Sequence, residues 1–73
     1  MAEIRVKSEI AGSVWKILKQ PGDEVTVDET LLLLESMKME IPVVAPKHGT
    51  VLDVRVAEGE AVAEGDIVVV IKA

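Results

Sequence analysis

Few residues of this chain could do covalent chemistry, and Lys38 is the most suggestive, standing between two methionines in the run Glu35-Ser36-Met37-Lys38-Met39-Glu40. A primary amine becomes a nucleophile once deprotonated beside an activated acyl group, and acylation leaves a neutral amide at the end of a flexible stem. The bland account makes the lysine a solvated charge, as expected of Lys7, Lys16, Lys19, Lys47 and Lys72, and the methionines core filler. His48 is the only histidine, and with no cysteine in the chain it has no partner for a metal site. It is assigned no catalytic role. Glu35 and Glu40 flank the Met-Lys-Met run, where a role in guiding partner docking competes with the simpler expectation of solvated charges at strand ends.

The elements that must position Lys38 form two copies of one pattern. Shifted by 37 positions, residues 3–35 fall on residues 40–72 without a gap, with Glu3/Glu40, Ile4/Ile41, Val6/Val43, Gly12/Gly49, Val14/Val51, Gly22/Gly59 and Val25/Val62 identical. The unmatched joint is Ser36 to Met39. Residues 2–7 alternate with the period of a half-buried strand. Val14 and Ile17 are three apart, as are Val51 and Val54, which predicts a β-bulge in each copy that turns both residues inward. Gln20-Pro21-Gly22-Asp23 has the signature of a type II turn, and its sister Ala57-Glu58-Gly59-Glu60 keeps the glycine. Short strands are predicted at Val25 to Val27 and Ala61 to Ala63, followed by turns at Asp28-Glu29 and Gly65-Asp66. The continuous apolar runs Leu31 to Leu34 and Ile67 to Ile71 suit strands buried on both faces. Ala45 to Gly49 is a loop matching Ser8 to Gly12.

Eight short strands with no helical period predict an all-β fold: a sandwich or flattened barrel of two four-stranded antiparallel sheets, spanning residues 1–73 as one domain. Two copies are too few for a solenoid, so the halves are expected to pack on each other about a pseudo-twofold axis, each covering the other's apolar face. The joint then becomes a tight hairpin with Lys38 at its tip, and the chain ends meet at the opposite end. Hairpin tips favour Asn-Gly or Asp-Gly, and this one has neither. Two thioethers at an exposed turn also cost solubility, as a recognition surface does. Something other than turn propensity therefore selects Met-Lys-Met.

Composition narrows the rest. Half the residues are hydrophobic but only Trp15 is aromatic, so the core is aliphatic. The net charge of −5, with bases scattered, speaks against nucleic-acid binding, which needs a basic stripe. No apolar run nears the roughly 18 residues of a membrane helix, and no signal peptide is evident. A soluble, cytoplasmic protein without membrane partners is expected.

Glu35-Ser36-Met37-Lys38-Met39, the Ala45-Pro46 to Gly49-Thr50-Val51 segment and the twin Gly22-Asp23 and Gly59-Glu60 turns make the chain resemble the biotinyl/lipoyl attachment domains along essentially its whole length. The resemblance implies covalent biotin on Lys38, with Met37 and Met39 read by biotin protein ligase and by client active sites. It implies a non-catalytic carrier, monomeric on its own, that shuttles a carboxyl group between biotin carboxylase and carboxyltransferase components. Ser36 stands where the family commonly has alanine, a small-for-small exchange. The space between Val14 and Val25 has no room for the thumb of some acetyl-CoA carboxylase carriers, so a thumbless type is expected. A lipoyl domain of a 2-oxo acid dehydrogenase is the nearest alternative, although such domains typically have Asp-Lys-Ala about the lysine; Glu35 also occupies a position that they use, which keeps dual modification open. An unmodified interaction module is a further alternative. Starting at Met1 without an Ala/Pro-rich linker, the chain is expected to be free-standing.

Overall fold

A computed structural model describes residues 2–73. Its eight strands are β1 (Glu3–Lys7), β2 (Gly12–Ile17), β3 (Glu24–Val25), β4 (Thr30–Ser36), β5 (Met39–Val44), β6 (Gly49–Val54), β7 (Ala61–Val62) and β8 (Ile67–Lys72). They form two antiparallel sheets, ordered β1-β8-β6-β3 and β5-β4-β2-β7. A shift of 37 residues converts the first order into the second, so the pseudo-twofold predicted from the repeat is present.

The halves do not pack as two separate layers; they cover each other by exchanging strands, which the repeat alone does not specify. Within a half only one strand pair forms, β2 with β4 and β6 with β8. The remaining strands cross over: β1 pairs β8, β3 pairs β6, β5 pairs β4 and β7 pairs β2. A lone two-stranded hairpin leaves edge N–H and C=O groups unpaired and is marginal in water. Exchanging strands lets each half complete the other's sheet.

Between the sheets lies an aliphatic core that includes Val14, Leu31, Leu32, Leu34, Val51, Val68, Val69 and Ile71. The bulges occur where spacing placed them. Register shifts between Val14 and Lys16 and between Val51 and Asp53 leave Trp15 and Leu52 as the extra residues. Val14 and Val51 are thereby buried, while Ile17 and Val54 pack against the core.

Four turns share one design. The N–H groups of Asp23, Glu29, Glu60 and Asp66 donate to the carbonyls three residues earlier, at 3.0, 3.1, 3.0 and 3.0 Å. The third residue of each has positive φ, Gly22, Gly59 and Gly65 being joined by Asp28 at 67°. Each fourth residue is acidic, and its carboxylate accepts the backbone N–H of the first: Gln20 to Asp23, Thr26 to Glu29, Ala57 to Glu60 and Ala63 to Asp66, at 2.8 to 3.0 Å. Four of the thirteen acids thus cap turns. The turn at Thr26 also shortens β3. Val27 lies in it and is exposed, so the strand ends at Val25 rather than at Val27.

Lys19 is not the free charge that the sequence suggested. Its Nζ lies 2.6 Å from Glu29 Oε2. The hydrogen bond from Lys19, helped by that from the Thr26 backbone, holds the Glu29 carboxyl below its ordinary range, and the same bond to Glu29 raises Lys19. Glu29's contribution is therefore complete above its unfolded pKa and is lost as pH falls through the lower folded value. Lys19's is complete below its own unfolded pKa and is lost at alkaline pH.

Gly12 and Gly49 start β2 and β6 where backbones meet. A Cβ on Gly12 would lie 2.6 Å from the Glu35 carbonyl oxygen, and one on Gly49 would strike the Lys72 carbonyl oxygen, its twofold equivalent. Gly12→Ala is expected to lower unfolding free energy by about 1–3 kcal/mol in urea titration, since the strands must part to admit a methyl group; an unchanged midpoint would contradict the packing. Glu29→Gln is expected to reduce the stability lost on acidification below about pH 4.5, read by unfolding midpoints across pH. An acid limb identical to wild type would show that the pair contributes nothing.

Candidate functional site

Lys38 occupies the hairpin that joins the two copies. Strand β4 ends at Ser36 and β5 begins at Met39, the two being directly paired, so Met37 and Lys38 form a two-residue turn. Both have positive φ, 52° for Met37 and 65° for Lys38. This left-handed pair belongs to the type I′ turn, whose twist matches that of the strands and which Asn-Gly ordinarily fills. A side chain in that region costs about 1–2 kcal/mol per residue. Paired strands hold the strain in place, because relaxing the turn would break the ladder below it.

The base of the hairpin is also braced from the side. Gly12 approaches the Glu35 carbonyl closely, and its missing Cβ would contact the Ser36 Cβ. The apex itself is open. Lys38 is exposed, Met37 is 89% exposed and Met39 is 59% exposed. Among the described residues the salt bridges are Lys19–Glu29 and Arg55–Asp53, so no carboxylate ties Lys38 down. The structure thus brings Met37, Lys38 and Met39 together at one exposed turn, and a primary amine projecting there fits a group joined through an amide.

Opposite the apex, the Ala73 N–H donates to the Ala2 carbonyl at 3.0 Å. These residues are the twofold equivalents of Ser36 and Met39, so the chain ends meet where the other copy has its hairpin. Strand β2 starts beside the apex at Gly12 and leads to β3, which pairs with β6 at Gly49 beside Lys72. The apex and the chain ends therefore lie at opposite ends of the molecule. His48 is exposed in the loop before β6.

Spacing did not reveal the left-handed conformation of Met37 and Lys38, nor the cross-strand neighbours of the apex. Glu35 and Glu40 pair directly across β4 and β5. At the twofold-related position Lys72 faces Glu3, an opposite-charge pair. A two-residue turn centred on Met37-Lys38 would have placed the two glutamates opposite each other from sequence alone.

Two four-stranded antiparallel sheets in a strand-exchanged sandwich give the architecture of a class, the biotin carboxyl carrier domains of carboxylases. The chain belongs to the biotinyl/lipoyl attachment family: residues 3–71 match the family model described as biotin-requiring enzyme. It is 44% identical over 62 residues to the biotin/lipoyl attachment protein of Bacillus subtilis, covering 85% of each chain. It is 44% identical over 66 residues to the biotinylated protein TB7.3 homolog of Mycobacterium leprae, covering 90% of this chain and 93% of the relative. Among solved structures, Kluyveromyces lactis urea carboxylase superposes with a TM-score of 0.93 at 33% identity. That match covers 99% of this chain and 6% of the carboxylase. Among the described residues there is no thumb, since residues 18–23 alone connect β2 to β3.

The strain at the apex is measurable. Met37→Asn is expected to stabilise the fold by about 1 kcal/mol, because Asn tolerates the left-handed region. The corresponding rise in thermal midpoint is about 4–8 °C for a domain of this size. No rise, or a fall, would mean that the turn is not strained.

Proposed function

We propose that the chain is a biotin carboxyl carrier, with Lys38 Nζ as the attachment atom and Met37 and Met39 as the side chains read by its partners. The observation that carries the reading is an exposed amine at the apex of a braced two-residue turn, with a thioether on each side, in a chain of the biotinyl/lipoyl family. The methionines favour biotin over lipoyl.

Acylation of Lys38 requires the amine to lose its proton and attack an acyl-adenylate presented by a biotin protein ligase. An amide forms, the adenylate's AMP leaves, and one positive charge is removed from the apex. When bound, biotin supplies a ring nitrogen that accepts a carboxyl group at one active site and yields it at another. The protein's part is mechanical. Strain and strand pairing keep the Lys38 backbone in one orientation, so the freedom of the arm lies in side-chain torsions beyond a fixed base. Tethering raises effective concentration at any site within the span of that arm. Met37 and Met39 offer polarisable surface that adapts to more than one partner pocket.

On this reading the domain performs no catalysis, and biotin carboxylase and carboxyltransferase components are its partners. The K. lactis relative is a urea carboxylase.

Lys38→Arg is expected to abolish streptavidin capture of ligase-treated protein while leaving thermal unfolding unchanged within about 0.5 kcal/mol, as for an exposed substitution. Persistent capture would overturn the assignment. Met39→Ala is expected to be ligated yet to support less carboxylation by client components. Undiminished turnover would remove Met39 from the recognition surface.

A further inference from the structure

The two copies impose the same demands on the fold, so surface positions where they diverge report on something other than folding. One such divergence is on the outer face of the sheet that carries the Lys38 hairpin. There Leu33 of β4 lies between Pro42 of β5 and Lys16 of β2, with the bulge residue Trp15 alongside. Trp15 is 49% exposed, and the Lys16 ammonium sits 5.8 Å from its ring centroid. On the other sheet the equivalent places hold Val70 between Arg5 and Asp53, with Leu52 alongside. One face is apolar at Trp15, Leu33 and Pro42, with Lys16 the charge beside Leu33, and it carries the one tryptophan of the chain. Its mate is flanked by charges.

The divergence continues toward the apex. Glu35 and Glu40 stand directly opposite each other between these residues and Lys38. Like charges directly opposite destabilise a sheet, whereas the second copy has the favourable pair Glu3 and Lys72. A partner that brought cations to this pair would relieve the repulsion.

We propose that this outer face, centred on Trp15, Leu33 and Pro42 and bounded by Glu35 and Glu40, docks the client carboxylase component. The occupant is a protein surface with an apolar socket for Trp15 and Lys or Arg groups that meet the two carboxylates. Charge complementarity supports that choice, since this chain carries a net −5. The face is also continuous with the hairpin, because β4 and β5 form both, and a client that envelops Lys38 must cover the strands beneath it. An exposed aromatic ring beside apolar residues with a charged border has the composition of an interface centre. The inference rests on the carrier reading of Lys38 and adds the docking surface to it.

The test uses the biotinylated chain as substrate for a purified biotin carboxylase component from the source cell, with ATP-dependent phosphate release as readout. Trp15→Ser is expected to raise the KM for carrier about tenfold at unchanged kcat, with ligation rate and thermal midpoint unaltered. Trp15→Phe is expected to restore most of the affinity. Leu52→Ser, the twofold-related control, is expected to leave KM unchanged. The wild-type KM is expected to rise with ionic strength, and less so in the Glu35→Gln/Glu40→Gln variant. An unchanged KM in Trp15→Ser, or an equal rise in Leu52→Ser, overturns the proposal. An effect confined to the ligase reaction assigns the face to the ligase instead. A change in Trp15 fluorescence on biotinylation alone assigns it to the tethered group. A wild-type chain that accepts no biotin has a different signature, failing before any variant is compared, and overturns the carrier reading together with this one.

Discussion

The exchange of strands between two sequence repeats is the constraint on which the rest depends. Each half supplies one hairpin-like pair, β2 with β4 or β6 with β8, and hands its remaining strands to the other. Neither half therefore owns a complete sheet. The aliphatic core forms only when both contribute, and the covalent joint between them is drawn into a two-residue turn. The apex exists because the chain must pass from β4 directly into β5.

That constraint explains how an unfavourable turn persists. Met37 and Lys38 both sit in the left-handed region that Asn and Gly fill more cheaply. Ladder hydrogen bonds along β4 and β5, with Gly12 pressed against the Glu35 carbonyl, over-determine the backbone at this point. Local strain maintained by surrounding structure is a recurrent feature of functional sites. Here its physical effect is to present one side chain from a fixed base with thioether groups beside it.

Much of this was legible in the residues. The gapless repeat contained the twofold, the three-residue spacing of Val14 and Ile17 contained the bulge, and the matched turns at Asp28-Glu29 and Gly65-Asp66 put Asp28 in the place of a glycine. The position of Lys38 followed from the joint. Strand exchange was not legible, because the repeat specifies which residues are equivalent and not which half they pair with. Lys19 and Glu29 are ten residues apart in sequence, and nothing short of the fold brings them to 2.6 Å. The capping carboxylates could have been found, since all four turns have an acid in fourth place. Buried Ser8 likewise aligns with buried Ala45; its hydroxyl donates to the Ile10 carbonyl, which makes its burial tolerable.

The most direct measurement is tandem mass spectrometry of the intact protein from its native cell. The account expects a single biotinyl increment that fragmentation localises to Lys38. A biotinyl group on any other lysine, a lipoyl increment, or an unmodified chain from biotin-replete cells would contradict it.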